Sequence, residues 1–144
     1  MRVITRKSSA MFLVIVMGSL AVMATTLRVR LALVDPHMAL ALEAISKPST
    51  VSWLRGKTFL LLGADPDAPI LDWGINAPPL VACVESGNDA LARAIVKGSS
   101  RGTRLKAADR ACESPQAHTE ILRVLAEFDS VSPSQLCSAA DRGR

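Results

Sequence analysis

Two histidines, His37 and His118, are the obvious candidates for acid–base or metal chemistry. They stand 81 residues apart, with no second histidine or cysteine at ligand spacing from either. His118 opens the segment "HTEILRVLAEF", where a polar residue suits the start of a helix, so both histidines are read as structural or surface groups. Asp65 and Asp67 look like a carboxylate pair, but beside Gly63 and Pro66 they fit the turn-capping use of aspartate better than general acid and base. The sequence contains no phosphate-binding loop, nucleophile elbow or paired-cysteine motif. No catalytic residue, metal site or cofactor is expected, and no small-molecule substrate is evident.

The three cysteines differ in context. Cys83 lies among apolar neighbours and reads as a small buried hydrophobe. Cys112 and Cys137 lie in polar surroundings and can pair if the domain is exported, whereas in a reducing compartment all three stay thiols. A basic cluster, Lys97, Arg101, Arg104, Lys106 and Arg110, has no aromatic residue within it to stack on a base. It reads as a solvated helix and loop face, and no nucleic-acid partner is expected.

The net charge of +4 is unevenly placed. Residues 1–30 carry Arg2, Arg6, Lys7, Arg28 and Arg30 with no acid; residues 31–144 carry twelve Lys or Arg against thirteen Asp or Glu. The excess therefore belongs to the N-terminal segment. Within it, Ala10 to Leu27 is an uncharged run of eighteen residues, about 27 Å as a helix and just enough to cross a hydrocarbon core. Two readings stay open: a retained signal anchor, or a signal peptide cleaved after the small residues at Val22 and Ala24. Three basic residues before the run and two after it weakly favour a domain on the non-cytoplasmic side. If the segment is cleaved, the product is secreted or periplasmic.

The elements after this segment are predicted to be helical, giving an all-α fold. Aromatics make up 3% of the chain and tyrosine is absent, so the core must be built from small aliphatic side chains, as in thin stacked helical pairs. Asp35 and Pro36 open a helix through Ser46, and "STVSWLRGKTFLLLGAD" carries another that stops at Gly63. Pro78-Pro79 starts a short helix that ends at Gly87. Asn88 or Asp89 caps the next, which runs to Gly98. Thr103 to Asp109 and His118 to Phe128 form a third pair, and Pro133 to Ala140 is a short capping helix or a frayed tail.

The stretches "GADPDA" and "APPLVACVESGNDALARAIVKG" resemble an ankyrin repeat. Leu80 and Gly87 keep the family's seven-residue spacing, and Gly63 to Gly98 spans 35 residues. The Thr and His of the family's T-P-L-H helix start are missing around Pro78-Pro79-Leu80, and Leu80 to Leu105 is only 25 residues, too short for a second finger loop. The resemblance covers residues 31–129 as about three degenerate hairpins, between a segment at 1–30 and a polar cap or tail at 130–144. A tetratricopeptide-like or other helical-hairpin stack is the competing family.

The resemblance implies a protein–protein interaction module, membrane-anchored or exported and without catalytic activity. A small structural subunit of a membrane complex is the alternative. Partners are then another protein and, through residues 10–27, the membrane. With the aliphatic positions assigned to the core, the residues left to choose a partner are Asp67, Ile70, Leu71, Asp72, Trp73 and Asn76 on the finger. Trp73 is either an exposed anchor or a cover for the edge of the stack.

Overall fold

The computed structural model describes residues 16–19, 30–71 and 76–141. Of the run Ala10 to Leu27, all but residues 16–19 therefore lie outside the described residues. Among those described, no helix is long and apolar enough to cross a membrane.

The described chain is all-helical apart from a single antiparallel bridge between Ile70 and Ala77. Seven helices follow Arg30 to Val34: α1 (Pro36–Ile45), α2 (Ser52–Leu61), α3 (Pro79–Ser86), α4 (Asp89–Ile95), α5 (Arg101–Cys112), α6 (Thr119–Asp129) and α7 (Pro133–Asp141). Their ends follow from local chemistry. The Asp35 carboxylate accepts the Met38 N–H at 2.9 Å, Asn88 accepts that of Leu91 at 3.1 Å, and the Ser100 hydroxyl accepts that of Thr103 at 3.3 Å. Each satisfies a donor that the first helical turn leaves free. Gly87 ends α3 in the left-handed region at φ 68°, its N–H turned back to Cys83 and Val84. That conformation favours glycine.

Consecutive helices pair as α1–α2, α3–α4 and α5–α6, and the pairs stack in two rows. One row runs α1, α3, α5, α7, and the other α2, α4, α6. Alanines line the first row: Ala39, Ala41 and Ala44 on α1, Ala82 on α3, and Ala107, Ala108 and Ala111 on α5 are all buried. Small side chains let these helices approach closely, as a chain so poor in aromatics requires. In the second row the close approach is at Gly56 on α2. A Cβ there would lie 2.3 Å from Leu91 Cδ1 and 3.0 Å from Ala94 Cβ. Leu40, Leu80, Leu91, Ile95, Ile121 and Leu125 are the largest aliphatic side chains buried in the core.

Polar side chains tie the first pair to the second. Glu43, on α1, is buried; it accepts from Ser52 Oγ at 2.7 Å and from Arg55 at 3.3 Å, so its charge is compensated where it lies. Asn88 donates to the Glu43 carbonyl at 3.1 Å and Ser86 donates to the Ala44 carbonyl at 2.6 Å. At the far end α7 packs on α5 and α6, burying Leu136, so the helix Pro133–Asp141 completes the stack.

Candidate partner-binding surface

The finger between α2 and α3 starts where Gly63 takes φ 96°, a left-handed turn that releases the chain from α2. Asp65 Oδ1 accepts the Asp67 N–H at 2.9 Å, an aspartate-closed turn. Both Asp67 oxygens then accept the Ser100 N–H at 2.9 Å. That places the finger's base against the start of α5. Burial pushes the Asp67 carboxyl up, but hydrogen bonds from Thr103 and Ser100 and the charge of Arg104 outweigh it and hold the group below its ordinary range.

The bridge closes the finger above this point, with Ile70 N–H donating to the Ala77 carbonyl at 2.9 Å. Ile70 is only 3% exposed. It belongs to the core, and its assignment to the partner-facing surface is corrected: pairing with Ala77 turns the side chain inward, where burial of its aliphatic surface is favourable. Leu71 is 73% exposed and Asn76 is exposed, consistent with a presented edge. Asp67 is half-buried and engaged in the fold. Asp72 and Trp73 lie outside the described residues.

The basic cluster does not form one free patch. Arg104 donates to Asp129 at 3.0 Å and to the Ser99 carbonyl, and its guanidinium lies 4.7 Å from the centre of the Phe128 ring. Arg110 pairs with Glu85 at 3.1 Å and with Glu113 at 2.6 Å. Lys97, Arg101 and Lys106 remain as exposed cations spread along the α4–α5 turn and α5.

A groove of about 480 Å³ crosses the second row of helices, lined by Trp53 of α2, Arg93 and Val96 at α4, and Val124, Glu127 and Phe128 of α6. Trp53 is 42% and Phe128 39% exposed. The sequence alone places Trp53 inside a helix without a surface role. The signal for exposure is its place on α2 about 100° around the helix from Ser52, at the flank of the buried face that carries Ser52, Gly56 and Phe59. A second cleft, of about 390 Å³, is polar: Glu85, Arg110, Glu113, Ser114 and His118 line it with Val84. The ion pairs of Arg110 occupy its rim. His118 Nδ1 is buried without a hydrogen-bond partner, as is His37 Nδ1 on α1.

Cys112 and Cys137 form a disulfide that joins the end of α5 to α7. Cys83 is a buried thiol whose ionisation is pushed up by burial and by the charge of Glu43, which disfavours the thiolate. Among the described residues no group of three or more His, Cys, Asp and Glu side chains gathers at metal-binding distance. Comparison with family models, curated proteins and solved structures finds no match for this chain.

Proposed function

We propose that this chain is a protein–protein interaction module built as a short, degenerate ankyrin-like stack, carried on an N-terminal membrane-directed segment and without catalytic activity. The observation that carries the reading is the finger. It leaves α2 at a left-handed glycine, closes on the Ile70–Ala77 bridge and leans on the next hairpin through Asp67 and Ser100, while exposing Leu71 and Asn76. A two-row stack of helical pairs leaves such loops and the outer helix faces free for a partner. The Cys112–Cys137 disulfide suits a non-cytoplasmic location, because such bonds persist in oxidising compartments.

Affinity capture from detergent extract with the full-length protein tests the reading. Partner recovery should fall with Leu71→Ala or Trp73→Ala at unchanged melting temperature. Recovery that survives both substitutions removes the finger as the binding edge. Crosslinking separates the alternative: a single stoichiometric membrane protein favours a structural subunit, and several soluble proteins favour a scaffold.

A further inference from the structure

The second row of helices has an open end. The face of α2 that carries Ser52, Gly56 and Phe59 is buried in the fold, Gly56 lying directly against α4. At 100° per residue, Leu54 and Leu61 project almost opposite to that face, and they are 60% and 88% exposed. Val51 and Leu62 flank them at 43% and 42% exposed. The helix is thus apolar on both sides, while its main packing partners among the described residues are α1 and α4.

The charge and aromatic pattern around this face narrows what covers it. Trp53 and Lys57 border it, with the Lys57 ammonium 4.0 Å from the centre of the Trp53 ring. Between Arg30 and Leu62 there are four basic residues, Arg30, Lys47, Arg55 and Lys57, and two acids. Asp35 caps α1, and Glu43 is buried against Ser52 and Arg55. The exposed charge at this end is therefore positive. Tryptophan and lysine beside leucine are the side chains that settle at a bilayer interface, the indole at headgroup level and the cation toward lipid phosphate. Arg30 follows Leu27 by three residue steps, about 10 Å at most.

We propose that the outer face of α2, formed by Val51, Leu54, Leu61 and Leu62 with Trp53 and Lys57 at its edge, lies on the surface of an anionic lipid bilayer. This rests on the reading that residues 10–27 enter that bilayer. The stack then stands with its first hairpin on the membrane and its later hairpins directed away from it. Anchoring would set the location, and α2 the orientation.

The test uses the full-length protein with Trp73→Phe, leaving Trp53 as the single indole, reconstituted in phosphatidylcholine vesicles with or without phosphatidylserine. Lipids brominated close to the headgroup should quench Trp53 emission, more strongly with phosphatidylserine. Leu54→Ser/Leu61→Ser should at least halve the quenching while the chain still co-floats with the vesicles. A second measurement covers a Trp73→Phe variant that fails to fold: a polarity-sensitive dye on Leu61→Cys, in the otherwise unchanged chain, should shift to the blue on reconstitution. If the chain co-floats but Trp53 is unquenched and freely reached by acrylamide, the anchoring reading stands and the bilayer contact is overturned. The bilayer contact is overturned too if the face instead supports a dimer abolished by Leu54→Ser/Leu61→Ser. If the chain does not co-float, the anchoring reading falls and takes this inference with it.

Discussion

Asn88, in the turn between α3 and α4, donates its amide to the carbonyl of Glu43 at 3.1 Å, across 45 residues of chain. Its Oδ1 accepts the Leu91 N–H at 3.1 Å, so one buried side chain both starts α4 and fastens the second hairpin to the first. Asn88→Ala removes the cap and one of two hydrogen bonds to the Glu43 carbonyl, which still accepts the Ser46 N–H at 3.3 Å, at a cost of about 1 to 3 kcal/mol. Asn88→Asp keeps the cap but cannot donate to Glu43, so it should not rescue stability. Denaturant melts of the three proteins decide this; an Asp variant as stable as the parent rules out the link to Glu43.

Gly56 and Leu91 form a second coupled pair. Gly56→Ala places a methyl 2.3 Å from Leu91 Cδ1 and should cost about 1 to 3 kcal/mol through overpacking. Leu91→Ala empties a fully buried position and should cost about 2 to 5 kcal/mol. The double variant should lose less than the sum, since the added methyl enters space the leucine vacated. Strict additivity in a double-mutant cycle would place the two side chains apart.

Acid should weaken the stack through depressed carboxyls. The hydrogen bond from Arg123 to Glu120, aided by Arg93 and opposed by desolvation, holds that group at about 2, and Asp67 is also held below its ordinary value. Groups with lowered folded-state pKa stabilise fully above their unfolded values, about 4, and lose that contribution as pH falls through the folded values. The melting temperature should stay level from pH 7 to about 5 and then decline toward pH 2. Asp67→Asn should flatten part of that decline, and an unaltered slope would show that Asp67 does not contribute.

Reduction of Cys112–Cys137, or Cys137→Ser, should release α7 from α5. The cysteines lie 25 residues apart, and loop-closure entropy for that length is worth about 3 to 4 kcal/mol. Hydrogen exchange should show protection lost first in Pro133 to Asp141. Loss spread evenly over all the helices would mean that the last helix has no separate stability.

Helix starts and stops were legible because the signals are local. Asp35-Pro36, Pro78-Pro79, Gly87 and Asn88 act within a turn of where they stand, and the helices begin and end beside them. The spacing from Leu80 to Leu105 foretold that no finger separates α4 from α5, which Val96 to Ser100 connect directly. Ile70 was misplaced because two apolar residues beside Asp72 carry no period, and its burial depends on pairing with Ala77. The arginine cluster read as a solvated face because Asp129 and Glu85, the acids that engage Arg104 and Arg110, each lie 25 residues away in sequence. Whether Cys112 meets Cys137 likewise depended on the docking of α7, which residue types alone do not specify.

The disulfide also changes what a break in the chain would mean. Glu113 to Ala117 are all exposed in the turn between α5 and α6, an inviting target for a protease. That turn lies within the loop that Cys112 and Cys137 close, so a cut there severs the backbone while the two pieces stay tethered. The clipped protein would run as one species on a gel until a reductant is added. This loop can be opened without the molecule coming apart.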